Sequence, residues 1–440
     1  MSGVKIFLFE WKHFVKNPFK IVAVLLFVIA GLYGLHNGAS LFQEQQGEIN
    51  DIQAKADQAR AEIIAYYDAG KKGPQERPWV DVTNPYWAIW YTSVYAFKSP
   101  SPAMVYSIGQ AEQFGYYKRV SFRSSPYDSD MAEEIANPER LQAGTLDFAF
   151  VLLYLLPVVL LVLTYNLKSY ESEQGFWSLV VVQHTSHYNW LLSRFAFYVL
   201  VTSSVVLLLF IYGGFLTGVF SLVPDAAMKF FGMSMLYLML WASVFFVIVA
   251  KGRRILSNSL LMIGVYLLLC FIVPGAVHQQ LSVEKPRNLM TDYIDATRDK
   301  KSALYEKSSE ELSSALYRQF PSLATTPVAK DSVKSKRLLR RALVGLTNEV
   351  MKESMQPFER ESEEKNQLIA SSFWYNPVGF FQNSFNEQSK THYVNYKAYR
   401  ETIQSAIDLQ IKVLLKELYN DVEVTKKQYQ DYLKQFNHDS

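Results

Sequence analysis

The sequence predicts a mainly α, polytopic membrane protein: about five transmembrane helices, an N-terminal interfacial helix and two largely helical extracytoplasmic segments. Three observations predict it. Half of the residues are hydrophobic and only 19% are charged. The mean hydropathy is nevertheless zero, because very apolar blocks alternate with two long charged segments. Five of those blocks approach the ~20 apolar residues needed to cross ~30 Å of hydrocarbon at ~1.5 Å per residue.

In residues 1–18, Phe7, Phe9, Trp11 and Phe14 are interleaved with lysines, the pattern of a helix lying in the interface before the chain turns inward near Pro18. Glu10 reads there as a surface acid paired with a neighbouring lysine, worth little. The first span, 19–36, opens with Lys20, whose stem can snorkel to the interface. The second, 145–165, is free of charge after Asp147 and contains Pro157. The third, 190–220, holds only Arg194; the fourth, 230–250, holds no charge; the fifth, 255–277, contains Pro274. Both prolines are expected to kink or end their spans, and Asp147 to act as a water-facing cap or helix start.

Basic residues near span ends are retained on the cytoplasmic side. Lys5, Lys12, Lys16 and Lys20 outweigh Glu10, and Lys251, Arg253 and Arg254 crowd the 251–254 turn. Both regions are therefore expected in the cytoplasm, and five spans carry the C-terminus outside. No small-residue cleavage pattern follows the first apolar run, which argues against a cleaved signal peptide.

The exterior segments are 37–144 and 278–440. In the first, 42–67 has helical apolar spacing until Gly70, Gly73 and Pro74 break it. The aromatic block 84–97 is core, a partner surface or a membrane-facing patch. In the second, 292–320, 333–371 and 396–419 read as amphipathic helices. The single cysteine, Cys270, excludes an intrachain disulfide, so these segments must be held by packing.

A net charge of +3 with scattered lysines argues against nucleic-acid binding. The sequence contains no H-E-x-x-H, no G-x-S-x-G and no G-x-x-x-x-G-K-[ST] loop, so a non-catalytic chain is expected. His184 and His187, without a third ligand, read as surface residues rather than a metal site.

The segment 166–189 is the most informative. Glu171 and Glu173 precede Gly175; Phe176, Trp177, Leu179, Val180 and Val181 then form one face of a short helix. Such a helix docks in a partner's groove, with apolar anchors for affinity and carboxylates for register. The plainer alternative is an amphipathic connector resting on lipid headgroups.

Asn137-Pro138, Leu141, Gly144, Asp147, Pro157 and Glu171-x-Glu173-x-Gly175 follow one another in an order that resembles the ABC-2-type transporter permeases. Pro102-Ala103 and Gly109-Gln110 upstream, with Asn376-Pro377, Phe381-Gln382 and His392 to Arg400 downstream, are similar to the subgroup with large extracytoplasmic domains. The chain departs from that pattern at Gly175-Phe176-Trp177, where the family reads Gly-Thr-Leu. It also departs at His184-Thr185, where a proline is usual, and at Arg194, where lysine is usual.

The resemblance implies a permease subunit of an ATP-binding-cassette exporter in a bacterial cytoplasmic (inner) membrane, with a cytoplasmic N-terminus and a periplasmic C-terminus. It implies no cofactor in this chain, because ATP and Mg²⁺ belong to a partner ATPase subunit. The other partners implied are a second permease copy or paralogue, membrane lipid and a periplasmic protein. Glu171, Glu173, Gly175, Phe176 and Trp177 become the coupling contacts, and Asp147, Pro157, Arg194 and Pro274 structural residues of the spans. Gly213, Gly214 and Gly218 offer a loose small-residue pattern for packing between permease subunits. Two alternatives stand beside this one: an ATPase-driven subunit that delivers force to a periplasmic partner without transport, and a membrane-anchored structural or binding module.

Overall fold

The computed structural model describes residues 3–128, 146–183, 187–252, 254–284 and 289–438. Helix makes up 79% of the described residues, and five of the described helices are long and apolar enough to cross a membrane. These five form a bundle, and a separate helical module stands on one end of it.

Helix α1 (Gly3–Val15) precedes α2 (Pro18–Asp68), which starts where Asn17 caps it and Pro18 fixes the first turn. Residues 19–36 and 42–67, separate elements by sequence, are one uninterrupted helix of 51 residues, about 77 Å long at ~1.5 Å per residue. No proline stands between them, and the Asn37-Gly38 pair, a turn signal in isolation, is held helical by its packing against Val105. The polar Asn37 at the boundary donates its side-chain amide to the Leu146 carbonyl at 3.0 Å. The first span therefore continues as a rod into the module.

The module begins with α3 (Pro85–Trp90) and the strands β1 (Val94–Phe97) and β2 (Tyr117–Val120), which pair antiparallel with Val94 opposite Val120 and Phe97 opposite Tyr117. The aromatic block 84–97 thus supplies much of the module's core: Tyr86, Ala88, Ile89, Val94 and Ala96 are buried. Between β1 and β2 the chain does not turn tightly. It plunges into the top of the bundle and returns.

The second span, α4 (148–164), starts at Asp147 and contains a π turn at Val151–Leu155 ahead of Pro157. The elbow follows as α5 (Ser169–Glu173) and α6 (Trp177–Gln183), and the third span is α7 (His187–Thr217). Gly218, at φ +69°, ends α7, and a turn of helix at Val219–Leu222 leads to the fourth span, α8 (Pro224–Lys251). The fifth, α9 (255–284), carries a second π turn at Leu268–Ile272, again two residues before a proline, Pro274.

The rest of the module comprises α10 (Leu289–Tyr305), α11 (Ser309–Gln319), α12 (Ser332–Ser371), α13 (Pro377–Gln388), α14 (Tyr393–Tyr419) and α15 (Lys426–His438). α11 opens with a capping box between Ser308 and Glu311. α15 clamps the far end of α2: Lys426 meets Asp68 at 2.6 Å, and the Tyr67 and Tyr429 rings lie 5.6 Å apart. Two large apolar cores result among the described residues, with two small satellites. One fills the bundle and includes Tyr106, Phe381 and Phe385 from the module segments; the other fills the module around α12 and α14.

Candidate functional site

The two ends of the bundle hold the residues singled out in the sequence. At one end, Arg194 near the start of α7 turns inward and is nearly fully buried. Its guanidinium donates to Glu10 of α1, to Glu171 of α5 and to the Leu167 carbonyl at 2.8 Å, and lies over the Trp190 ring. The second oxygen of Glu10 accepts from the Tyr198 hydroxyl at 2.8 Å. Lys20 donates to the Leu163 carbonyl at 2.8 Å, with its ammonium 4.1 Å from the centre of the Tyr198 ring. Two acids and two bases thus share one dry cluster, the arrangement that makes buried charge tolerable.

This differs from the expectation at two positions. Glu10 is fully buried at 0% exposure rather than a surface acid, and Lys20, at 1%, points into the bundle rather than out to an interface. The signal was available. Glu10 and Arg194 are isolated opposite charges in otherwise apolar or basic surroundings, and such charges find each other across the fold.

Glu171 accepts from Arg194 through one oxygen, and its other oxygen is buried without a partner among the described residues. Glu173 is exposed, and its carboxylate accepts from the Ile255 backbone N–H at 2.7 Å, capping the first turn of α9. Gly175, at φ +76°, supplies the left-handed turn between α5 and α6 that a side chain would strain. Beyond it α6 has two faces. Trp177 and Val180 pack on the bundle core, with Trp177 edge-on to Trp190 at 6.0 Å; Phe176, Leu179 and Val182 stand out, Val182 at 86% exposure. Lys168 donates to the Ala250 carbonyl at the end of α8, and Asn258 of α9 donates to Ser169. The elbow is thereby tied to α1, α7, α8 and α9. His184 lies outside the described residues.

Among the described residues, the opposite end is built without ion pairs between spans. Asp147 caps α4 through Phe150 N–H at 2.7 Å, and its other oxygen accepts from Ile108 N–H at 2.8 Å. It is a helix start as expected, but buried rather than water-facing. Ile108 belongs to the plunging segment, whose tip, Tyr106, lies between Phe210 and Phe230 with both ring centroids at 4.8 Å. The Tyr106 hydroxyl donates to the Phe210 carbonyl at 2.8 Å. Gly34 and Gly38 of α2 make room: a Cβ on either would lie 2.7 or 2.5 Å from the backbone of Asp147 and Phe148 or of Val105. Gly213 and Gly214, read as a contact between subunits, line the same socket, since their Cβ atoms would meet Leu35, Tyr106 and Phe220.

Pro157 lacks the N–H that would bond the Leu153 carbonyl, and the π turn ahead of it shifts the pairing further. The orphaned carbonyls are met from other spans. Tyr237 of α8 donates to Leu153 O at 2.7 Å, and Tyr266 of α9 donates to Tyr154 O at 3.1 Å. Pro274 sits at the equivalent place in α9. Helix α13 touches both π turns; its Phe381 meets Tyr237 edge-on at 4.8 Å and its Phe385 packs tilted on Phe230 at 4.6 Å.

The separated motifs converge here. Ser389 donates to the Ala103 carbonyl at 3.0 Å, Ser107 to Asn386 at 2.7 Å, and Gln110 N–H to the Thr391 carbonyl at 3.1 Å. Gly109, at φ +52°, passes so close that a Cβ would lie 2.5 Å from the Thr391 hydroxyl. Asn376 caps α13 through Gly379 N–H at 3.0 Å, and His392 caps α14 through Val394 N–H at 3.3 Å. A cavity of about 260 Å³ between Asp147, Tyr154, Gln382 and Asn386 adjoins one of about 470 Å³ beside Pro274. Asn137, Pro138, Leu141 and Gly144 lie outside the described residues. No protein-family model, curated protein or solved structure matches the chain.

Proposed function

We propose that the chain is the permease subunit of an ATP-binding-cassette exporter, in which the elbow α5–α6 receives the motion of a separate ATPase on the cytoplasmic side. One observation carries this reading: α6 presents Phe176, Leu179 and Val182 outward while its other face and α5 are tied to four helices of the bundle. A push on the exposed face must therefore move α1, α7, α8 and α9 together.

In this reading the roles divide. Phe176, Leu179 and Val182 are the docking anchors, and Trp177 fastens α6 to the bundle. Glu171 and Glu173 transmit force inward, because their carboxylates already have partners in Arg194 and the start of α9. Gly175 provides the hinge. The unmet, buried oxygen of Glu171 is the weak point of the clamp. α1 lies along the inner surface of a bacterial cytoplasmic membrane, and the module stands in the periplasm. The test is recovery of an ATPase with the wild-type chain and with the Leu179→Asp, Val182→Asp double variant. Both side chains are exposed, so the fold tolerates the change. Recovery by the wild type alone is expected; equal recovery by both chains contradicts the reading.

A second reading is favoured by the unbroken α2, which joins span to module as a rod about 77 Å long. In it the same ATPase drives a mechanical stroke onto a periplasmic partner. ATP-dependent movement of a solute through the purified, reconstituted complex would exclude a purely mechanical role.

A further inference from the structure

A cavity of about 270 Å³ in the module lies between three separate elements: the loop after β2, α10 and α12. Each contributes one cation, Arg123, Lys301 and Arg340, and among the described residues no acid lines it. None of the three makes an ion pair among the described residues. The acids nearby are already engaged: Asp128 with Lys118 at 2.8 Å, Glu353 with Lys300 at 3.6 Å, and Asp408 and Glu349 with Lys352 at 2.8 and 3.3 Å. Arg123 is held in place by its guanidinium lying over Tyr86 and Trp90, at 5.5 and 5.7 Å. The floor is apolar, formed by Phe122, Val344 and Met351.

Three like charges line one hollow, so an anion that enters it is attracted by all three. Two guanidinium forks suit the paired oxygens of a phosphate or carboxylate, and the apolar floor suits an organic body. Height decides the source of the anion. Residues 362–369 of α12 share a cavity with Val277 and Leu281 at the outer end of the fifth span. Residues 340–351 lie 11–22 positions further along the same helix, which at ~1.5 Å per residue is roughly 17–33 Å away. A lipid headgroup held in the bilayer does not reach them.

We propose that this cavity binds a water-soluble organic anion through a phosphate or carboxylate group, with Arg123, Lys301 and Arg340 as its ligands. The proposal stands independently of the transport reading. The experiment titrates inorganic pyrophosphate into the purified full chain in nanodiscs of zwitterionic lipid at low ionic strength. Saturable binding at one site is expected, weakened about tenfold or more by Arg123→Gln with Arg340→Gln, or by Lys301→Gln. Lys300→Gln, which removes the same charge from a neighbouring position, should leave it unchanged. Folding of each variant is checked by its thermal unfolding midpoint; all four side chains are exposed or half-buried, so these should match the wild type. Absence of saturable binding up to about 10 mM, or equal weakening by Lys300→Gln, overturns the site. Competition by an anionic lipid added to the disc overturns its assignment to a soluble ligand.

Discussion

The two ends of the helical bundle are fastened by different chemistry. At the elbow, charges do the fastening: buried Glu10, Arg194 and Lys20 meet half-buried Glu171. Under the module, hydroxyls bond freed carbonyls, backbone amides hold Asp147, and aromatic rings stack around Tyr106 and α13. A charge cluster is tight but exchangeable, because each partner accepts an equivalent charge from elsewhere. A joint of hydroxyl bonds and stacked rings has no such substitute. On the proposed function, rearrangement falls to the elbow and rigid transmission to the joint.

That contrast can be broken most directly at Arg194. Arg194→Leu leaves Glu10 buried beside an uncharged neighbour and is expected to cost about 3–5 kcal/mol, with Glu10→Leu added in the same chain recovering much of it. Thermal unfolding of the single and double variants in detergent measures this. A single variant as stable as the wild type would remove the charge cluster from the account. At the opposite end, Gly38→Val drives a branched side chain into the backbone of Val105. A loss of about 1–3 kcal/mol is expected there, without rescue by any charge change. Tyr237→Phe removes only the hydroxyl that meets Leu153, and should cost about 1–2 kcal/mol. Equal stability of Tyr237→Phe and wild type would show that the π turn satisfies itself.

The smallest effect is set by pH. His392 caps α14 by accepting through Nδ1, and burial holds its imidazole below the ordinary value of 6.5. The unfolded chain then binds the proton first. The cap's contribution is complete above pH 6.5 and is lost as pH falls through the lower folded value. It amounts to about 1 kcal/mol. His392→Asn keeps a capping oxygen that does not titrate, so this part of the pH dependence of the unfolding midpoint should flatten. An unchanged profile would assign it to other groups.

The spans were legible because length and hydropathy define them without reference to neighbours: the third and fourth blocks are α7 and α8 to within a few residues at most ends, the start of α8 excepted. Asp147 as a helix start and the helices around 333–371 and 396–419 were legible for the same local reasons. What escaped is non-local. Residues 19–67 form one helix because packing against Val105 overrides the Asn37-Gly38 turn signal, which together with the change of solvent there suggests a boundary in the sequence. The strands β1 and β2 are four residues each and separated by the plunging segment, so neither shows a period. Glu10 looked like surface because its partner lies 184 positions away. Pro157 marked a kink, but the tyrosines that meet its freed carbonyls sit on other spans. Among the elbow residues, Gly175's turn was readable, whereas the division of α6 into an anchored face and an exposed face needed the packing.

The proposed function requires the exposed face of α6 and the module to lie on opposite sides of the membrane, with the elbow inside. The most direct measurement is labelling by a membrane-impermeant maleimide of Val182→Cys and of Trp374→Cys, each in a Cys270→Ser background. Both positions are almost fully exposed, at 86% and 87%. The account predicts that in spheroplasts only Trp374→Cys is labelled, and that in inverted vesicles only Val182→Cys is. Labelling of Val182→Cys from outside intact spheroplasts would contradict it.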